Sequence, residues 1–339
     1  MLGPALREIK RALPESRITL LASPSGSQAA PLLPWVDEVL IERALWQELD
    51  APAEPLPAEE HRLVARLATG RFDAAFIFTS FSQSPHPPAY AAYLAGIGVR
   101  VGQSKEFGGG VLTKWVRKLP DETHQADANL HLIEELGFPV LKRDLEVSVD
   151  ERVRAEMDLM LSANGISPGE PFIAMAPGAT CQARRYDINR FAEVARRLAR
   201  LTGLRLVVLG GPGEVPLARR ILDAVPLASA VSLTGVGGVP GLAAVLKRAS
   251  LLLANDSGPM HLAEAVGCPM VILFSGTELE SQWQPRSTPA RLMRRETPCA
   301  PCYGFRCPRD MNCLDFSPTE VIEEALAMLQ RARVHLTGE

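Results

Sequence analysis

One segment narrows the folds open to this chain more than any other: Leu251-Leu-Leu-Ala-Asn-Asp-Ser-Gly-Pro-Met-His-Leu-Ala-Glu-Ala-Val-Gly267. Its apolar run stops at Asn255, and Asp256-Ser257-Gly258 leads at once into a helical pattern. Pro259 suits the first helical position, where a missing N–H costs nothing, and Asp256 or Ser257 is placed to cap the turn. Gly267 ends the helix, and Pro269-Met-Val-Ile-Leu-Phe274 begins a second apolar strand. A strand, a tight turn, a helix and another strand aim free backbone N–H groups and a helix dipole at one spot. Such a spot favours phosphate.

The same alternation of apolar strands and amphipathic helices runs through all 339 residues, the pattern of a parallel α/β sheet. In the first half the strands are expected at 18–22, 38–41, 74–78 and 99–102. In the second they are expected at 172–176, 205–209, 230–233, 251–254 and 270–274. This length exceeds one ordinary core and predicts two domains. The first covers 1–163, the second 170–315, and a C-terminal helix covers 316–333, with the break at Asn164-Gly-Ile-Ser-Pro-Gly169. Ser317-Pro318-Thr319-Glu320 is a capping-box signature for that helix, which buries Ile322, Ala325, Leu326 and Leu329. The Pro- and Glu-rich segment 51–60 reads as a surface loop. No stretch reaches the ~20 apolar residues that span a bilayer, and no secretory signal pattern opens the chain. A net charge of −3 argues against a protein built to coat nucleic acid.

The Asp256–Gly267 motif resembles the donor-binding motif of glycosyltransferase family 9, the lipopolysaccharide heptosyltransferases and their relatives. The resemblance runs from Pro4-Ala-Leu-Arg7 to the last helix near Leu329. It implies a GT-B fold: α/β, two Rossmann-like domains facing across a cleft. It also implies an inverting transferase that moves a sugar, heptose from an ADP-linked donor, to a lipopolysaccharide-core or related glycan, with no cofactor. Such a protein is cytoplasmic and meets its lipid-linked acceptor in transient contact with the inner membrane surface. Two rival readings stand beside it. One is a UDP-sugar epimerase on the same architecture. The other is a nucleotide-sugar binder without catalysis.

Four places carry the expected donor site. After the first strand of the second half comes Ala176-Pro-Gly-Ala-Thr180, then Arg184. The resemblance places the cation that holds the donor phosphates at Arg184, where the family more often has Lys. An arginine keeps the charge and adds a bidentate option, and the plain alternative is a surface charge. After the next strand, Leu209-Gly-Gly-Pro-Gly-Glu214 offers a carboxylate for ribose hydroxyls. The alternative for Glu214 is a helix-start acid favoured by the dipole. Thr234-Gly-Val-Gly-Gly-Val-Pro240 resembles the family segment that borders the base, or is a plain loop. In the opening motif, the resemblance implies that the N–H groups of Ser257 and Gly258 cradle the diphosphate. Asp256 then touches sugar hydroxyls, and His261 steadies the phosphates or the loop. No Asp-x-Asp motif sits here, so activity is expected to persist in EDTA.

Cys299, Cys302, Cys307 and Cys313 lie within fifteen residues, four of the six cysteines. They read as free thiols or oxidised pairs, or as a structural metal site. The chain opens directly in a helix, before the strand at 18–22. Family members carry an earlier strand and a Gly-Asp turn that supplies the proposed general base, so the first sheet is expected to lack its central strand. A misplaced start inside a longer reading frame and a truncated form with weakened catalysis are the two explanations. No substitute base is evident, since Asp37 and Asp73 have ordinary structural readings. The acceptor side is expected around 79–88 and 102–110.

Overall fold

The structure, a computed structural model, describes residues 1–47, 57–80 and 82–337, with side chains through residue 332. The expected loop at 51–60 falls outside the described residues up to 56. Its end is helical, because Pro57–Thr69 forms a helix that buries Leu63 and Leu67. The chain divides into two compact units, Met1–Arg143 and Asp144–Glu339.

The first unit holds helices α1 (Gly3–Ala12), α2 (Pro24–Ser27), α3 (Pro57–Thr69), α4 (His86–Leu94) and α5 (Gln125–Glu134). Its strands are β1 (Thr19–Ala22), β2 (Glu38–Ile41), β3 (Ala74–Ile77), β4 (Val99–Ser104) and β5 (Lys114–Arg117). They form two separate parallel sheets, β1-β2 and β3-β4-β5, and among the described residues no strand joins β1 to β3. Ala5 and Ile9 of α1 pack instead with Leu130 and Ile133 of α5. Strand β5 escaped the sequence reading because Lys-Trp-Val-Arg buries only Val116.

The second unit holds strands β6 (Phe172–Ala176), β7 (Arg205–Val208), β8 (Ala230–Ser232), β9 (Leu251–Asn255), β10 (Met270–Leu273) and β11 (Ala290–Met293). Its helices are α6 (Glu151–Ala163), α7 (Ile188–Thr202), α8 (Val215–Leu222), α9 (Gly238–Arg248), α10 (Gly258–Val266), α11 (Glu280–Trp283) and α12 (Pro318–Thr337). The sheet is parallel throughout, in the order β8-β7-β6-β9-β10-β11. Numbered within the unit this is 3-2-1-4-5-6, the doubly wound dinucleotide-binding order. Side chains alternate strictly between two cores. Ile173, Leu206, Leu253 and Val271 face Phe191, Leu198 and Ile221 of α7 and α8, together with α12. Phe172, Val207, Leu252 and Ile272 face Leu161, Leu246 and Met260 of α6, α9 and α10. Burial on both faces explains why these strands read as unbroken apolar runs.

Helix α6 belongs to the second core through Met157 and Leu161. The division between units therefore falls before this helix, whereas the sequence reading set the break after it. Strand β11, Ala-Arg-Leu-Met, ends the sheet and buries only Met293 fully, so it too lacks an apolar signature. No helix among the described residues is long and apolar enough to cross a membrane.

Candidate functional site

In the 3-2-1-4-5-6 order, the chain reverses its direction of travel across the sheet between β6 and β9. Loops leaving these strands diverge and open a crevice at their carboxyl ends. The segments that follow β6, β7, β9 and β10 bring the expected donor residues to this edge of the sheet.

The last residue of β9, Asn255, is fully buried and works as a clamp. Its Nδ2 donates to the carbonyls of Pro177 (2.8 Å) and Gly178 (3.2 Å), and its Oδ1 accepts from Tyr186 N–H. One side chain thus holds the turn after β6 and the segment that follows Arg184. Asn255 was read from sequence only as the end of an apolar run.

Asp256 comes next and is 4% exposed. Neither it nor Ser257 caps α10 by its side chain, contrary to the sequence expectation. Ser257 is the extended N-cap residue but makes no side-chain cap bond, and Pro259 is the second helical residue, not the first. The Asp256 carboxylate is diverted sideways, where Oδ2 accepts from Ser275 Oγ at 3.0 Å. Oδ1 is buried with no hydrogen-bond partner. Burial pushes this carboxyl up to about 7, against the nearby Arg184 charge and the Ser275 bond, which pull it down. The first turn of α10 meanwhile keeps amides that no side chain caps, beside an exposed Gly258.

Arg184 ends a short 3-10 turn, Gln182–Arg184, and is half-buried. Its Nε donates to Thr277 Oγ1 at 3.1 Å, and its Nη2 lies 2.7 Å from Glu278 Oε1. Thr277 Oγ1 is 2.9 Å from Ser275 Oγ. Ser275 gives its single proton to Asp256, so Thr277 must donate to Ser275. Every donor in the chain Arg184–Thr277–Ser275–Asp256 therefore points towards the buried carboxylate. Glu278, also raised by burial though Arg184 opposes the shift, balances the arginine. Ser275, Thr277 and Glu278 were missed in the sequence. The signal that could have found them is their place, directly after the strand ending in Leu273-Phe274.

Glu214 accepts from Gly211 N–H at 2.8 Å through Oε2, closing the turn before α8. Its carboxylate also lies against Gly178 and Gly210, and a Cβ at Gly178 would overlap it. The residue thus has the local role of a turn acid and still reaches the β6 loop. In the third segment, Gly235 N–H donates to Gly210 O at 2.8 Å, and α9 begins at Gly238. His261, on α10, has its ring 5.8 Å from that of Trp283.

The cysteine loop docks onto the same segments. Ala183 N–H donates to Phe305 O and Cys307 N–H to Gln182 Oε1, while Cys302 N–H reaches Gly276 O and Tyr303 N–H reaches Thr277 O. All six thiols are free. Among the described residues, no three His, Cys, Asp or Glu side chains gather at one point.

A doubly wound sheet with uncapped helix amides, an arginine and a buried carboxylate at its switch point defines a Rossmann-like α/β protein whose crevice suits an anion. The chain belongs to glycosyltransferase family 9 (heptosyltransferase), whose family model matches residues 61–311. It is 27% identical over 350 residues to lipopolysaccharide heptosyltransferase 2 of Salmonella typhimurium, covering 97% of this chain and 94% of that one. It is also 27% identical over 221 residues to lipooligosaccharide heptosyltransferase 2 of Campylobacter jejuni, covering 63% of this chain and 66% of that one. The alignment thus spans just under two thirds of that relative's length. The solved structure of Escherichia coli ADP-heptose lipopolysaccharide heptosyltransferase II superposes with a TM-score of 0.73 at 22% identity, covering 98% of this chain and 95% of that one. The fold is GT-B, α/β with two Rossmann-like domains.

Proposed function

We propose that this chain is an inverting glycosyltransferase that moves heptose from an ADP-linked donor to a hydroxyl of a lipopolysaccharide-core or related glycan. The observation that carries the reading is the convergence of Arg184, Asp256 and the uncapped first turn of α10 at the β6/β9 switch point. On this reading the N–H groups of Ser257 and Gly258 and the α10 dipole receive the diphosphate, with Arg184 exchanging Glu278 for a phosphate oxygen. These groups stabilise the charge that develops on the departing ADP as the anomeric bond breaks. Asp256 Oδ1, buried and unpartnered, accepts a hydroxyl of the donor sugar. Glu214 faces the ribose, and His261 steadies the turn. The acceptor's lipid anchor brings the protein to a membrane surface from the cytoplasmic side.

Calorimetric titration with ADP, with UDP as the matched control, tests the donor assignment. ADP binds and UDP does not, and Arg184→Gln weakens ADP by about 10- to 100-fold through loss of charge-assisted bonds. Preference for UDP, or no binding of either, removes the donor assignment and leaves only the fold.

A further inference from the structure

The turn that leaves β10, Ser275-Gly276-Thr277-Glu278, is built for hydrogen bonding rather than for packing. Ser275 is fully buried and Thr277 is 2% exposed. A buried hydroxyl is costly unless its proton and lone pairs find partners. Thr277 Oγ1 accepts from Arg184 Nε at 3.1 Å and donates to Ser275 Oγ at 2.9 Å. Ser275 Oγ in turn donates to Asp256 Oδ2 at 3.0 Å, and Thr277 N–H adds a second bond to Ser275 Oγ at 3.3 Å. An arginine can only donate, so the order of protons between it and the carboxylate is fixed.

The turn is also held from outside. Cys302 N–H donates to Gly276 O at 2.9 Å, and Tyr303 N–H to Thr277 O at 2.8 Å. A Cβ at Gly276 would stand 3.1 Å from Ala300 Cβ and 3.3 Å from Cys313 Cβ, so the cysteine loop lies directly against it. The hydroxyls therefore have little freedom to swing away from Asp256. With Oδ2 committed to Ser275, the proton that Asp256 takes up near pH 7 sits on Oδ1, the oxygen without a hydrogen-bond partner. Ionisation thus switches Oδ1 between donor and acceptor and leaves Oδ2 as it was.

We propose that Ser275 and Thr277 are positioning residues for the donor sugar: they tie Asp256 to Arg184, hold Oδ2, and leave Oδ1 as the single oxygen presented to a sugar hydroxyl. This rests on the donor reading, in which Arg184 meets the diphosphate and Asp256 the sugar. Both residues act through a neighbour, Ser275 on the carboxylate and Thr277 on Ser275 and the arginine. Asp256 faces Arg184 from the 182–184 turn, Cys181 just before it and Ser275 from the turn after β10. Glu278 acts through Arg184, and His261 follows on α10.

Calorimetric titration with ADP-heptose and with ADP, from pH 6 to 8, tests it on the parent, Ser275→Ala, Thr277→Val and Thr277→Ser. In the parent, ADP-heptose binds more tightly than ADP, and this advantage grows as pH rises through about 7 and Oδ1 becomes an acceptor. Ser275→Ala removes one charge-assisted bond from the carboxylate. It moves the rise upward by about one pH unit and lowers the advantage about fivefold at pH 7, with ADP alone held about as before. Thr277→Val, of nearly the same shape, lowers the advantage about twofold, and Thr277→Ser restores it. All the variants keep Arg184, Cys181, Glu278 and His261, so differences between their pH profiles belong to Asp256. Equal losses of ADP and ADP-heptose would mark the hydroxyls as merely structural and overturn the proposal. An advantage unchanged in both Ser275→Ala and Thr277→Val overturns it too, while the donor reading stands. Failure of the parent to bind ADP removes the donor reading, and the proposal with it.

Discussion

At the scale of single residues, Asp256 is the group whose environment departs furthest from water. Its carboxyl rises from an ordinary value of 3.8 to about 7 because burial disfavours the charge. A raised acid contributes stability that is full below about pH 4, falls as pH rises, and is gone once pH passes 7. Above that point the buried charge costs the fold on the order of 4 kcal/mol. Asp256→Asn is therefore expected to melt at a higher temperature than the parent at pH 8, with the gain shrinking to less than about half at pH 5. Thermal midpoints at the two pH values check this, and a less stable Asn variant at pH 8 would refute it. On the proposed reading, the carboxylate keeps that burden beside Arg184 as a charged acceptor for a sugar hydroxyl. Much of this was legible in the sequence: Asp256, Ser257 and Arg184 sit where strand ends and turn chemistry place them. The Thr277–Ser275 link was not, because Arg184 and Thr277 are 93 positions apart and only the folded sheet makes them neighbours.

At the scale of elements, the strands of the second unit were legible because both faces are buried and every residue in them is apolar or nearly so. The edge strands β5 and β11 were not, since each buries only one residue fully, Val116 and Met293. Helix α6 shows a further limit. Its amphipathic stripe says that one face is buried but not against which unit. Helix α7 carries the simplest test of local construction. Asp187 accepts from the N–H groups of Asn189 (3.0 Å) and Arg190 (2.8 Å), and α7 then covers one face of the sheet with Phe191 and Leu198. Asp187→Ala is expected to cost about 1 kcal/mol and lower the thermal midpoint by about 3 °C. Calorimetry reads both quantities, and no change would mean that water replaces the cap at no cost.

At the scale of the whole molecule, the two units differ in how their described strands are assembled. The second has a six-stranded sheet with helices and a core on each face, and every donor-site residue named here lies within it. Residues 144–339 produced alone are expected to melt cooperatively and to bind ADP within about threefold of the full chain, as an independent domain should. A broad, non-cooperative melt would show that the second unit needs the first. Among the described residues the first unit is built from two short sheets, so four of the six strands that end a sheet belong to it. Two of those four carry their own guard: β2 has Glu38, and β5 has Lys114 and Arg117. The other two, Thr-Leu-Leu-Ala in β1 and Ala-Ala-Phe-Ile in β3, hold no charge at all. Uncharged strand edges are templates onto which another chain can zip. Clouding of a concentrated stock on storage should therefore begin at β1 and β3, and a lysine placed on either is where shelf life is most cheaply gained.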